Sequence, residues 1–155
     1  MIIDKTRYFE LLKLEKELLK KNRSLLKESR EKYLELQNDR VTLSSQLYWE
    51  DRKKYSSLIK NCLDNVISAE DFMYEFLNLW ENNRDDFRAL EIIFKTLEIN
   101  FGPNPETVEF ADIVDEVFFI CEMFDPESSL NEEYNHIWLK DLLEESFLKM
   151  QKYID

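Results

Sequence analysis

Glycine and proline are scarce in this sequence, whose 155 residues include one glycine and three prolines. Both residues form tight turns and both interrupt helices, so a chain that almost lacks them is best suited to long helices. Hydrophobic residues make up 44% of the chain, which is enough for a buried core. We therefore predict an all-α fold, an antiparallel four-helix-type bundle with an additional long N-terminal helix.

Leucines recur in the N-terminal segment at seven-residue steps, as Leu11, Leu12, Leu18, Leu19, Leu25 and Leu26. This spacing predicts one long amphipathic helix over residues 4–38, which either self-associates as a coiled coil or packs on its own domain. Asn38-Asp39 and Ser44-Ser45 indicate a break and a new N-cap after that helix. We therefore divide the chain into a helical extension, residues 1–45, and a helical-bundle domain, residues 46–155.

Apolar residues at helical spacing predict the helices of this domain. One ends near Asn65, and the next begins at a capping box of Ser68 and Asp71. A further helix is predicted over residues 87–97. Asn104 followed by Pro105 is typical of a helix start and opens the central helix. Its predicted buried residues are Ile113, Val114, Val117, Ile120, Cys121 and Phe124, with Asp112, Asp115, Phe119 and Glu122 on the opposite face. Pro126 ends this helix, and the last helix begins near Asn135 and buries a face that includes Ile137.

Charge is distributed unevenly along the chain. Residues 1–60 carry a net charge of +5 and residues 61–155 a net charge of −17, which together give −12. An acidic surface can serve solubility alone. A field of this strength also repels nucleic acid and anionic membranes and attracts a basic partner.

Most catalytic chemistry lacks the residues that it needs. His136 is the single histidine, so the Glu133 to His136 spacing of di-iron bundles has no second motif to complete a site. Cys62 and Cys121 fall on apolar faces and are predicted to be buried thiols in a reducing compartment. One glycine cannot form a phosphate-binding loop. We predict a protein that is not an enzyme, binds no cofactor, metal or membrane, and is cytoplasmic.

The central helix ends in acids, Glu122, Asp125 and Glu127. A helix C-terminus disfavours negative charge by about 0.3–1 kcal/mol per group, so basic residues are more usual there. Acids at this position therefore call for an explanation from elsewhere in the sequence.

Two linked motifs resemble the colicin D-type immunity proteins, over residues 54–153. The first is the segment "ISAEDFMYEFLNLW" after "YSSLIKNCLDNV", and the second is formed by Phe118, Glu122, Phe124 and Pro126 with Glu127 next. Tyr134 and a final apolar helix complete the likeness. The N-terminal extension and the longer span between the motifs depart from the family pattern.

The resemblance implies a four-helix bundle that binds a basic, tRNA-cleaving toxin and blocks its active site by mimicking RNA phosphates. It points to Glu122 and Glu127 as contacts, with Asp125 between them. Asp115, Glu132 and Glu133 are further candidate partner-binding residues, although surface acids are more often only solvated. The alternative is a helical adaptor that oligomerises through residues 4–38.

Overall fold

This computed structural model describes residues 2–85, 102, 104–124 and 132–154, and for residue 85 and residues 132–135 it describes the backbone alone. The described residues form seven helices and no β-strand, so the predicted all-α helical bundle is confirmed. The helices are α1 (Lys5–Lys20), α2 (Leu25–Glu28), α3 (Arg30–Glu50), α4 (Arg52–Leu63), α5 (Ala69–Asp85), α6 (Pro105–Met123) and α7 (Glu132–Gln151).

The prediction of one long N-terminal helix is wrong, because the chain turns after α1. Asn22 adopts a left-handed backbone conformation with φ of 56°, and the Arg23 amide donates a 2.9 Å hydrogen bond to the Leu18 carbonyl. This is a Schellman-type ending, which satisfies the last carbonyls of a helix. Ser24 and Ser29 then cap α2 and α3 by accepting hydrogen bonds from backbone amides.

The predicted break near residues 38–45 is also wrong, since α3 continues through it to Glu50. The Thr42 hydroxyl donates to the Asn38 carbonyl at 2.9 Å, and the Ser45 hydroxyl donates to the Val41 carbonyl at 3.1 Å. Hydroxyls that bond to the carbonyl four residues earlier remain inside a helix and do not cap a new one. The proposed boundary between residues 45 and 46 therefore falls within one helix, and the division into two domains stays a prediction.

The main core lies between the C-terminal end of α3 and helices α4 to α7. Its largest fully buried side chains include Tyr55, Phe72, Phe76 and Phe110. Full burial of an aromatic or aliphatic side chain of this kind contributes about 1.5–3 kcal/mol. The aromatic rings meet mainly edge to face, as Tyr55 and Phe76 do at 5.5 Å between centroids.

A second apolar cluster joins α1 and α2 to α3, and along α3 it reaches Leu43. It buries Ile3, Tyr8, Leu11, Leu12, Leu18, Leu25, Leu36 and Leu43. Arg40 reinforces it by an ion pair with Glu15 at 2.6 Å, in which both side chains are mostly buried. Most of the predicted coiled-coil leucines therefore pack inside the chain.

Several predicted helix ends agree with the structure. Helix α4 ends at Leu63, and Asn65 has a left-handed φ of 57°. The Ser68 hydroxyl accepts from the Asp71 amide at 3.1 Å at the start of α5, and Asn104 caps α6. Helix α7 begins at Glu132, earlier than predicted. The predicted helix over residues 87–97 lies outside the described residues, and so does Pro126, which was predicted to end the central helix.

The prediction that Ile137 is buried in the last helix is wrong, because its side chain is 53% exposed. Its neighbours Leu139 and Leu143 are fully buried, so the buried face of α7 is narrower than the pattern suggested. None of the helices in the described ranges combines the length and the hydropathy that a membrane span requires.

Candidate partner-binding face

Helix α6 carries the candidate site and is held firmly along its inner face. The Asn104 carboxamide oxygen accepts from the Thr107 amide and from the Thr107 hydroxyl, each at 2.8 Å, and Pro105 occupies the first turn. These contacts satisfy donors that a helix start leaves open. The predicted buried face is confirmed: Ile113, Val114, Val117, Ile120, Cys121 and Phe124 are all buried.

The last turn of α6 presents Glu122 to solvent. Phe119 and Met123 beside it are each 62% exposed, and no basic residue occurs in this turn. No ion pair recorded within the described ranges involves Glu122. A carboxylate at this end of the helix opposes the helix dipole, so a cation from outside the chain would stabilise it.

The acids on the side of α6 that faces α7 have partners within the chain. Glu116 pairs with Lys149 at 3.1 Å, and Glu109 accepts a hydrogen bond from the Tyr153 hydroxyl at 2.6 Å. The Glu109 contact raises the pKa of Tyr153 to about 12. The negative charge of α6 thus partly helps to hold α7, whereas Glu122 makes no such contact among the residues that the structure describes.

Asp115 lies on the polar face of α6, and that position predicted a solvated side chain. The structure shows a different environment. It is half-buried, and burial is the main reason why the pKa of its carboxyl is raised, with a smaller contribution from the negative charge of Asp112. The Trp80 indole N–H faces this carboxyl and offsets part of the effect, although the contact does not reach standard hydrogen-bond geometry.

Asp115 lines a groove between α3, α5 and α6 with a cavity volume of about 500 Å³. The Trp80 and Phe118 rings stack in one wall with centroids 4.0 Å apart and planes 15° apart. The Arg84 guanidinium lies over the Trp80 ring at 4.6 Å from its centroid. Phe119 lines the groove and is also exposed, so the groove adjoins the surface that carries Glu122.

The remaining predicted site residues are only partly described. Asp125 and Glu127 lie outside the described residues. Glu132 and Glu133 belong to the first turn of α7, where the helix dipole favours acids, but their side chains are outside the described part of the chain. The structure therefore brings Glu122 and Asp115 to one face of α6 and does not relate the other four residues to them.

The two cysteines and the histidine pack against neighbouring side chains. Cys62 and Cys121 are buried, and burial raises the pKa of Cys121 to about 12, which disfavours the reactive thiolate. His136 Nε2 lies 3.8 Å from Glu70 Oε1, and its ring meets Phe124 edge to face. Across the described residues, no group of three or more histidine, cysteine or acidic side chains is arranged to hold a metal ion.

Comparison with protein families gives no matching family model, and comparisons with curated proteins and with solved structures give no match either. Family membership is therefore a proposal that depends on the two motifs and on the geometry of α6.

Sequence reasoning missed the groove. It did not connect Trp80 or Phe118 with Asp115, and it interpreted Ser44 as part of a cap signal. These residues come together only because three helices that are distant along the chain pack against each other. No local spacing in the sequence predicts that contact. The one usable signal was Phe119, an aromatic residue on the polar face of α6.

Proposed function

We propose that this protein is an immunity-type inhibitor that binds a basic, RNA-cleaving toxin domain and covers its active site. The observation that carries the proposal is the end of α6, where an exposed Glu122 lies within one turn of the exposed apolar side chains of Phe119 and Met123. An acid beside large apolar side chains has the composition of a protein-binding patch, in which apolar contact supplies affinity and charge supplies selectivity.

The charge distribution supports a basic partner. The net charge of −17 over residues 61–155 would accelerate the approach of a cationic protein and repel competing nucleic acid. Close charge pairs in a well-studied nuclease–inhibitor complex couple by about 1.5–7 kcal/mol, which exceeds the cost of an acid at a helix C-terminus.

The two motifs that resemble the colicin D-type immunity proteins indicate the kind of toxin. In that family the acids around the end of the central helix contact the cationic site where tRNA phosphates would lie. By that resemblance Glu122 and Glu127 are the principal contacts, and Asp125, Asp115, Glu132 and Glu133 are further candidates. The function requires no cofactor or metal, and we expect it to be exerted in the cytoplasm.

The test is a search beside this gene for a basic nuclease domain and a measurement of protection against it. The toxin is produced in bacteria together with the wild-type chain, Glu122→Lys or Glu17→Lys, and survival and tRNA cleavage are measured. Glu17 is exposed on α1, so Glu17→Lys changes the net charge equally but away from α6. We expect Glu122→Lys to lose protection with helix content and melting temperature nearly unchanged, and Glu17→Lys to protect fully.

Full protection by Glu122→Lys would refute this placement of the site. Absence of any protection by the wild-type chain against the neighbouring nuclease would refute the toxin assignment itself. Equal loss in both variants would show that net charge matters and that the α6 face does not.

The adaptor alternative is less well supported, because Leu11, Leu12, Leu18 and Leu25 are buried against α3. Leu19 and Leu26 remain 58% and 47% exposed and could still form a contact between copies. Deleting residues 1–45 would remove most of α3 and damage the main core, so substitution is the sharper test. The adaptor function predicts that Leu19→Lys with Leu26→Lys converts an oligomer to a monomer in light scattering, whereas an inhibitor stays monomeric throughout.

A further inference from the structure

The groove between α3, α5 and α6 has the size of a binding site. Its volume of about 500 Å³ falls within the range of about 300–1,000 Å³ that is usual for sites that enclose small groups. One wall is aromatic, with Trp80 stacked on Phe118, and Phe119 stands at the solvent side. Phe118 and Arg84 already lie against the Trp80 ring, whereas the Phe119 ring is 62% exposed and can take a flat group that stacks on it.

Asp115 is the anionic group of the groove, and it is only half-buried. The two arginines that line the groove have contacts of their own. Arg40 forms its ion pair with Glu15 on α1, and Arg84 lies over the Trp80 ring. Burial and the negative charge of Asp112 both disfavour the ionised Asp115 carboxyl. A cation that entered the groove would offset both effects.

Ser44 provides a second, independent indication of a ligand. Its side chain lines the groove, the residue is 3% exposed, and its hydroxyl oxygen has no hydrogen-bond partner in the described part of the chain. Buried hydroxyls are nearly always hydrogen-bonded, and one without a partner calls for an explanation. An N–H group from a ligand in the groove would satisfy this oxygen.

We infer that this groove binds the guanidinium group of an arginine side chain from the protein partner, with Asp115 as its counter-ion and Ser44 as a second acceptor. The inference depends on the proposed function for the basic character of the partner. A guanidinium is flat, offers several N–H donors in a fixed fork, and stacks on aromatic rings, so it matches acceptors beside a ring wall. Arg84 on Trp80 already shows this stacking within the chain.

The occupant would act as an anchor. Arginine and aromatic side chains that fill pockets at the centre of an interface carry a large share of its binding energy. The exposed Phe119 connects the groove with the Glu122 surface, so one partner could contact both.

The test uses three short peptides and does not require the toxin. Acetyl-Gly-Arg-Gly-amide is titrated into the isotope-labelled full chain, and the NMR signal of the Trp80 indole N–H is followed. The citrulline peptide has the same shape without charge, and the glutamate peptide is an anion. We expect saturable shifts with the arginine peptide, binding about tenfold weaker or more with citrulline, and no binding with glutamate.

Two substitutions locate the site. Asp115→Asn keeps the shape of the side chain and should weaken the arginine peptide about tenfold, whereas Asp141→Asn at an exposed position on α7 should have little effect. Ser44→Ala should weaken the peptide without lowering the melting temperature, because the Ser44 hydroxyl makes no hydrogen bond within the described residues.

Equal binding of the arginine and citrulline peptides, tighter binding of the glutamate peptide, or no binding at all would overturn the inference. These failures are distinguishable from failure of the proposed function, which is measured by protection with Glu122→Lys. A chain that protects but does not bind the arginine peptide keeps the function and loses this anchor site.

Discussion

Tyr55 shows how a single buried polar pair stabilises the main core. It is fully buried, and its hydroxyl accepts a 2.8 Å hydrogen bond from the Asn83 side-chain amide. Burial raises the pKa of Tyr55, so its hydroxyl stays neutral at any ordinary pH. The pair joins α4 to the last turns of α5, next to the groove wall that carries Trp80 and Arg84.

We predict that Tyr55→Phe lowers the free energy of unfolding by about 1–3 kcal/mol, because it leaves the buried Asn83 amide without an acceptor. Tyr74 is 71% exposed, so Tyr74→Phe should change it by less than about 0.5 kcal/mol. Urea denaturation followed by circular dichroism measures both values. An equal effect of the two substitutions would show that the Asn83 amide finds another partner.

Asp39 is the acid of the N-terminal region with the most perturbed environment. Burial, followed by the negative charges of Glu35 and Asp4, raises the pKa of its carboxyl from 3.8 to about 6. The folded state therefore holds the Asp39 proton more tightly than the unfolded state does. Ionisation of Asp39 then destabilises the fold progressively as the pH rises from about 4 to 6, and the loss is complete above that range.

We predict that Asp39→Asn removes this loss. The difference in free energy of unfolding between the variant and the wild type should grow in favour of the variant between pH 4 and 6 and stay constant to pH 8. Urea denaturation at intervals across this range measures it. A difference that does not change with pH would mean that Asp39 titrates normally in the folded chain.

The turn after α1 decides how the N-terminal element is organised. The leucine spacing is compatible with a helix through residue 38, but Asn22 occupies the left-handed position that ends α1. Asparagine is neither a strong helix breaker nor a reliable stop signal, so the sequence contained this information only weakly. Packing of α1 on α3 then buries more leucine surface than an extended helix would.

We predict that Asn22→Gly preserves or slightly raises the melting temperature, whereas Asn22→Val lowers the free energy of unfolding by about 1–2 kcal/mol, because a branched side chain is strained at positive φ. Lys20→Val, inside α1, controls for helix propensity and should cost about 0.5 kcal/mol. Thermal denaturation measures all three. Tolerance of valine at position 22 would mean that the turn is not strained.

At the scale of the whole molecule, α3 belongs to both apolar clusters. Leu36 and Leu43 pack in the N-terminal cluster, and Tyr48, less than two turns beyond Leu43 on the same helix, packs in the main core. A rigid helix shared by two clusters should couple their unfolding. The tryptophans Trp49, Trp80 and Trp138 all pack in the main core, so their fluorescence reports on that cluster alone.

We predict one cooperative unfolding transition for the chain. Leu11→Ala in the N-terminal cluster should lower the free energy of unfolding by about 2–5 kcal/mol and shift the tryptophan fluorescence transition by the same amount as the circular dichroism transition. Leu148→Ala, at a position 65% exposed, serves as the control and should shift neither. Two separate transitions, with fluorescence unaffected by Leu11→Ala, would instead support independent folding of residues 1–45 and 46–155.

The sequence by itself determined the all-α class, the helix starts at Ser68 and Asn104, the buried face of α6 and the contrast in charge along the chain. These depend on residue composition, short-range spacing and caps, which act over one or two turns. Only the tertiary structure decided that α3 runs unbroken past Ser44 and Ser45, that α1 folds back on it, and that Asp115 enters a groove with Trp80. A serine hydroxyl can cap a new helix or bond within an existing one, and a polar residue can be solvated or enclosed. Which alternative a residue adopts depends on the distant helices that pack against it, and the local sequence does not specify those helices.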